Sequence, residues 1–241
     1  MLYKSQLLDQ VLNIRANIHS SHIEACVDSL YEGSVPPLSS SRQEALFNQY
    51  LLEYLELDLS TVDFELTESG QQTENLTTQH LALLPSDIIC KTLTLWSGYI
   101  YHKNINNYIN KKDIEVIKEH FLEHYGWLTL QSSLNDDVSK MPFEDKPSTL
   151  PVLKTFLPLN TFLFDHLPQI SQVGINIMTT EWPYIYKKLI TLKLPKRDIK
   201  SEVNEKVDIV PLNKKDVEST FFVCLERISK EWHEKFLRKS A

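Results

Sequence analysis

The sequence predicts a mainly α fold: an irregular single-domain bundle of short helices, with at most a short β-strand or hairpin. Three observations predict it. The 241 residues contain 5 glycines, against about 17 at the usual ~7%, too few for the tight turns of most all-β folds. Apolar residues recur at three- and four-residue spacing along much of the chain. Polar residues able to cap a helix stand at the head of several such stretches. The 42% hydrophobic and 10% aromatic content supplies the core that a chain of this length needs to bury roughly 70–75% of its unfolded surface.

The elements follow in order. Tyr3–Ile18 places Leu7, Leu8, Val11, Leu12 and Ile18 on one helical face. Ser21-His22-Ile23-Glu24 has the form of a capping box, with a helix Ile23–Tyr31 stopping at Gly33. Ser41-Arg42-Gln43-Glu44 is a second capping box, opening a helix with Leu46, Phe47, Tyr50, Leu51, Tyr54 and Leu55 inward. Leu57–Leu66 alternates Val62, Phe64 and Leu66 with Asp63 and Glu65, the pattern of a short strand. Thr67–Gln79 is polar and predicts an exposed loop.

Ser86 stands where an N-cap is wanted, ahead of Ile88, Ile89, Leu93, Trp96 and Ile100 at helical spacing. Gly98 interrupts that helix at a cost of about 1 kcal/mol against alanine, which close packing of a second helix would explain. A short apolar turn at Asn104–Ile109 leads to a helix Ile114–Tyr125 capped by Asp113 and closed by a left-handed Gly126. Asn135–Ser148 is acidic, contains Pro142 and Pro147, and is the best internal linker. The chain is thus one domain over 1–241, subdividing at most into 1–134 and 149–241 around that linker. Prolines 151, 158, 168 and 183 keep later helices short. Trp182–Leu194 is amphipathic, and Lys196–Asp216 is charged. A final helix runs from an Asp216 cap to Arg238, with Val217, Phe221, Leu225, Ile228, Trp232 and Phe236 on one stripe.

Composition narrows the chemistry. No two glycines are close enough for a dinucleotide or P-loop phosphate cradle. A net charge of -7 argues against nucleic acid, whose binders carry a basic face. Three widely separated cysteines, Cys26, Cys90 and Cys224, suit a reducing cytosol. Each falls among apolar helix neighbours, where a thiol behaves as a small hydrophobe. The N-terminus has no continuous apolar run of a secretory signal, and no stretch approaches the ~20 residues of a membrane span. His120 and His124 are spaced i, i+4 on a predicted helix, within reach of one metal ion. The HExxH glutamate is absent and no third ligand presents itself, so a polar helix face is the better reading. Asp136-Asp137 and Glu144-Asp145 lie in the linker, where nothing would desolvate a carboxyl. The sequence therefore predicts no enzyme, no cofactor and no metal.

The order of these patterns resembles a known family. Leu81-Ala82-Leu83-Leu84-Pro85, then Leu93, Leu95 and Gly98, then the Ile105/Ile109 turn and the Asp113–Tyr125 helix ending at Gly126, is similar to SctK/YscK-type accessory proteins of bacterial type III secretion sorting platforms. Leu51–Asp58 resembles that family's Leu/acidic segment. Tyr186-Lys187-Lys188-Leu189 with Leu192-Lys193-Leu194-Pro195 resembles its basic-Leu element, one residue longer and with lysine in place of arginine. The likeness spans Leu46–Pro195 discontinuously. It implies a non-catalytic cytoplasmic adaptor, peripheral at the inner-membrane face of the secretion apparatus. Its partners would be an SctQ-type pod protein and the cytoplasmic domain of an SctD-type ring protein. The alternative is another cytosolic helical interaction protein, a secretion chaperone or a translocated effector. Candidate partner contacts are Trp182, Tyr186, Lys187 and Lys188, with Trp232 and Phe236 on the C-terminal stripe.

Overall fold

The computed structural model describes residues 11–30, 40–57, 78–130, 157–196 and 212–237. Every regular element among them is helical, and no strand occurs among the described residues. In chain order these are α1 (Ile14–Asn17), α2 (Ser20–Leu30), α3 (Ser41–Tyr54), a 3-10 turn at His80–Leu83, α4 (Ser86–Ile100) and α5 (His102–Ile105). Next come α6 (Lys111–Phe121), a 3-10 turn at Leu122–His124, α7 (Tyr125–Leu130), a π-helical turn at Thr161–His166 and α8 (Leu167–Met178). They are followed by α9 (Tyr184–Leu192), α10 (Lys214–Ile228) and α11 (Lys230–Leu237). The fold is mainly α. Most of the expected strand (58–66), the acidic linker (135–148) and 197–211 lie outside the described residues. At the end of the expected 67–79 loop, Thr78 and Gln79 are helical and Thr78 is buried.

The chain divides into two compact units, each made of two separate stretches. The first comprises Met1–Cys90 and Glu181–Glu202, the second Lys91–Thr180 and Val203–Ala241.

In the first unit α3 packs against α1 and α2. The Arg15 N–H donates to Asn48 Oδ1 at 3.1 Å, and the Arg15 guanidinium lies 5.7 Å over the Phe47 ring. The Tyr54 hydroxyl donates to the Ala25 carbonyl at 3.4 Å. Leu51 and Leu55 are buried, as their spacing predicts. Leu46, expected inward, is 58% exposed, because the first two turns of α3 stand clear of the core. The caps differ too. Ser40, one residue before the expected Ser41, accepts the Gln43 N–H at 3.3 Å. Ser21 opens no capping box, since α2 already begins at Ser20 and the Ser21 N–H donates to His19 Nδ1 at 3.2 Å.

In the second unit the core surrounds Trp96, which is fully buried and donates from Nε1 to Thr220 Oγ1 at 2.9 Å. Helix α8 approaches the same indole through Gly174, where a methyl group would overlap the six-membered ring. Gly98 performs the corresponding service for α6 and α7. A Cβ there would sit 2.5 Å from Phe121 Cε1 and 3.2 Å from Leu128 Cδ1, the close helix packing that a glycine inside α4 predicted. Gly126, by contrast, is helical with a negative φ and nothing within 4 Å of an added Cβ. The turn is made instead at Leu122, with φ 50°, which ends α6 four residues early.

Helices α6 and α10 start on the same tetrapeptide, Asn-Lys-Lys-Asp, at 110–113 and 213–216. The asparagine is the cap in both, correcting the expected Asp113 and Asp216. Asn110 Oδ1 accepts the Lys112 N–H at 3.1 Å, and Asn213 Oδ1 accepts the Asp216 N–H at 2.8 Å. Each aspartate occupies the first turn, where a carboxylate suits the positive helix end. Asn213→Ala should lower stability by about 1 kcal/mol, read as a shift of the urea midpoint. The last helix is not continuous to Arg238. Ser229, at φ -151° and ψ 94°, separates α10 from α11.

Candidate functional site

The candidate contact residues take two kinds of position. Trp182 and Tyr186 are 3% and 9% exposed, so both pack into the core of the first unit, with Tyr184 at 56% on the outside of the same helix. Lys187 and Lys188 are half-buried on the polar side of α9. Trp232 is half-buried on α11, and the side chain of Phe236 lies outside what the structure describes. The stripe that precedes them is core: Val217, Phe221, Cys224 and Leu225 are all buried. The basic residue Arg227 rides 5.6 Å over Trp127, which in turn stacks on Tyr99 at 5.3 Å.

Two segments that carry the family likeness meet in the first unit. The 3-10 turn His80–Leu83 packs on α9, and Leu84, just after the turn, meets Lys193, just after that helix. Leu81, Ala82, Leu83 and Leu84 are buried, as are Leu189, Ile190, Leu192 and Leu194. Lys193 ties the two together. Its Nζ donates to the Leu84 carbonyl, while its own carbonyl accepts from Ser86 Oγ at 2.7 Å and from Cys90 Sγ at 3.4 Å. Ser86 is therefore the first residue of α4 with its hydroxyl spent on this tie, not the N-cap that its position suggests. Lys193 is fully buried, and that desolvation lowers its ammonium from 10.5 to about 7. The same strand of chain is held to α2. His22 hydrogen-bonds the Leu194 carbonyl at 2.9 Å, and the Lys196 N–H donates to Ser21 Oγ at 2.7 Å. Burial lowers the His22 imidazole, offset in part by that carbonyl contact.

A sequence reading marks Lys193 only as part of a basic-Leu run. The signal that could have singled it out is the surrounding pattern: a lysine flanked by Leu192 and Leu194, next to a proline, is poorly placed to reach water.

Other groups do not assemble into a reaction centre among the described residues. The helix break at Leu122 takes His120 and His124 off a common helical face, overturning the i, i+4 geometry. His120 packs edge-on against Phe121 and Phe164, at 4.8 and 5.7 Å, and burial lowers it. His124 lies 3.6 Å from Glu123. No three His, Cys, Asp or Glu side chains converge on a metal position among the described residues. The three thiols are free, and burial raises each of them, the reverse of what a nucleophile needs. A cleft of about 290 Å³ is lined by Asn13, Arg15, Ala16, Ile23, Glu44 and Asn48, and brings no nucleophile next to a base. Among the described residues no helix is long and apolar enough to cross a membrane.

No protein-family model, no curated protein and no solved structure matches the chain.

Proposed function

We propose that this protein is a non-catalytic cytoplasmic adaptor of a type III secretion sorting platform, linking the cytoplasmic domain of the inner-membrane ring protein to the pod protein. The reading rests on the ordered motifs that resemble the SctK/YscK type. One observation supports it above the rest: Leu81–Pro85 and Leu192–Pro195, far apart in sequence, are two halves of one packed assembly joined through Lys193. Segments that hold each other in place are the ones a family sharing this fold would keep as its pattern. Helical structure throughout the described residues also suits a part whose task is mechanical.

The test is co-purification of the full chain with the SctQ-type pod protein and the SctD-type cytoplasmic domain from the same genome. Recovery of neither removes the proposal. Export of a reporter by the first 20 residues would favour a translocated effector instead. Within the adaptor reading, Lys187 and Lys188 are the half-buried cations on the polar side of α9. Reversing both to glutamate should weaken pod or ring binding roughly tenfold, about 1.4 kcal/mol, with the melting temperature unchanged. A lowered melting temperature would assign the pair to the fold.

A further inference from the structure

His166 is a polar side chain placed where an apolar one would serve the packing better. It is 2% exposed, and neither Nδ1 nor Nε2 has a hydrogen-bond partner. Its ring lies 4.9 Å from Tyr101, nearly edge-on, and 6.0 Å from Phe162, nearly parallel. Tyr108 backs Phe162 at 5.6 Å. The residue closes the π-helical turn Thr161–His166, in which the Leu167 N–H reaches five residues back to the Phe162 carbonyl. Such widened turns are rare and gather at functional positions. Leaving a buried polar group unsatisfied costs about 1–3 kcal/mol, a penalty that leucine or phenylalanine at 166 would avoid.

Among the described residues, the rings packed around His166 carry no charge. Tyr101, just beyond α4, and Tyr108, just beyond α5, are phenols that burial pushes up to about 12. Phe162 cannot ionise. Asp165, beside it in the chain, is exposed, and burial is the cause that lowers the imidazole. Among the described residues, a proton arriving on His166 would therefore meet no carboxylate. Contact with aromatic faces could return up to about 2 kcal/mol, less than the several kcal/mol that a buried unpaired ion costs.

We infer that His166 is an acid-sensitive latch: a proton added to its ring drives the imidazolium out of the aromatic pocket and opens the Thr161–His166 turn, uncovering Tyr101, Tyr108 and Phe162. The proton comes from solvent and no other bond changes. The neutral ring keeps the turn closed above the pH at which a solvated histidine titrates, about 6.5. Closure weakens as the pH falls below that value, because only the open form accepts the proton. The latch does not depend on the adaptor reading.

Hydrogen exchange on the full chain tests it, with the protection of amides 161–170 measured from pH 8 to pH 5 and corrected for the intrinsic exchange rate. Wild type should lose protection about 30-fold by pH 5, one decade per pH unit below 6.5, while His166→Phe should hold it constant. His102, His120 and His124 are also lowered by burial and cancel between the two proteins. Equal losses in both, or none in wild type, would overturn the latch. Should His166→Phe fail to fold, nitrogen-15 histidine spectra of wild type decide. Proton uptake at His166 together with loss of protection supports the latch, whereas uptake with the turn still protected rejects it.

Discussion

Gly174→Val should destabilise the second unit by about 3 kcal/mol or more, read as a lowered urea midpoint. Overpacking a filled core costs typically 1–3 kcal/mol and at times more, and here the obstructing group has little freedom to yield. A Cβ at position 174 would overlap the Trp96 six-membered ring. That indole is fully buried and held by its Nε1 bond to Thr220 Oγ1. Thr220 is anchored in turn, its hydroxyl within 2.6 Å of the Asp216 carbonyl. The explanation makes a sharper demand than loss of stability alone. Trp96→Leu removes the obstructing ring, so the double variant should be less destabilised than the sum of the two single variants by at least 1 kcal/mol, a coupling expected of residues in contact. Strict additivity would mean that Gly174 matters for some reason other than its approach to Trp96.

The second large effect concerns Lys193. Its ammonium titrates near 7 in the folded chain because it is buried, against about 10.4 in an unfolded one. Between those values the unfolded chain binds more protons than the folded one, so stability rises with pH across that window. The stability of wild type relative to Lys193→Met should rise by about 3–4 kcal/mol from pH 7 to pH 10. Loss of the donor to the Leu84 carbonyl adds an offset of about 1–3 kcal/mol at every pH. The buried thiols and the tyrosines raised to about 12, Tyr99, Tyr101 and Tyr108, work in the other direction at high pH. They are common to both proteins and drop out of the difference. A pH-independent difference would place Lys193 in contact with water.

What the sequence made legible was governed by local rules, and what it hid was tertiary. The helix Ser86–Ile100 and the tight packing at Gly98 could both be read, because apolar spacing and a glycine at the wrong place leave a local trace. The starts of α2, α3, α4, α6, α9 and α10 were read within one to three residues, whereas α5, α7, α8 and α11 were not separately read. In Asn-Lys-Lys-Asp both ends are capping residue types, and only geometry tells the asparagine at the cap from the aspartate in the first turn. The breaks at Leu122 and Ser229 left no trace. Neither carries a glycine or proline, and the apolar period runs through Ser229 undisturbed. His166 was invisible, and Lys193 marked only by its flanking leucines, for a related reason. Their burial is imposed by Tyr101, Phe162 and the Leu81–Pro85 turn, each brought in by the fold and, apart from Phe162, from far along the chain.

The polypeptide passes between its two units three times, after Cys90, Thr180 and Glu202. During vectorial synthesis the first unit cannot acquire α9 and its Lys193 tie until the chain 109 residues beyond Leu84 has left the ribosome. The second must wait for α10, because Thr220 follows Trp96 by 124 residues. Half-made chains therefore emerge with the apolar faces of Leu81–Leu84 and Trp96 unsealed. The nascent protein has a long interval in which a holding chaperone would be of use.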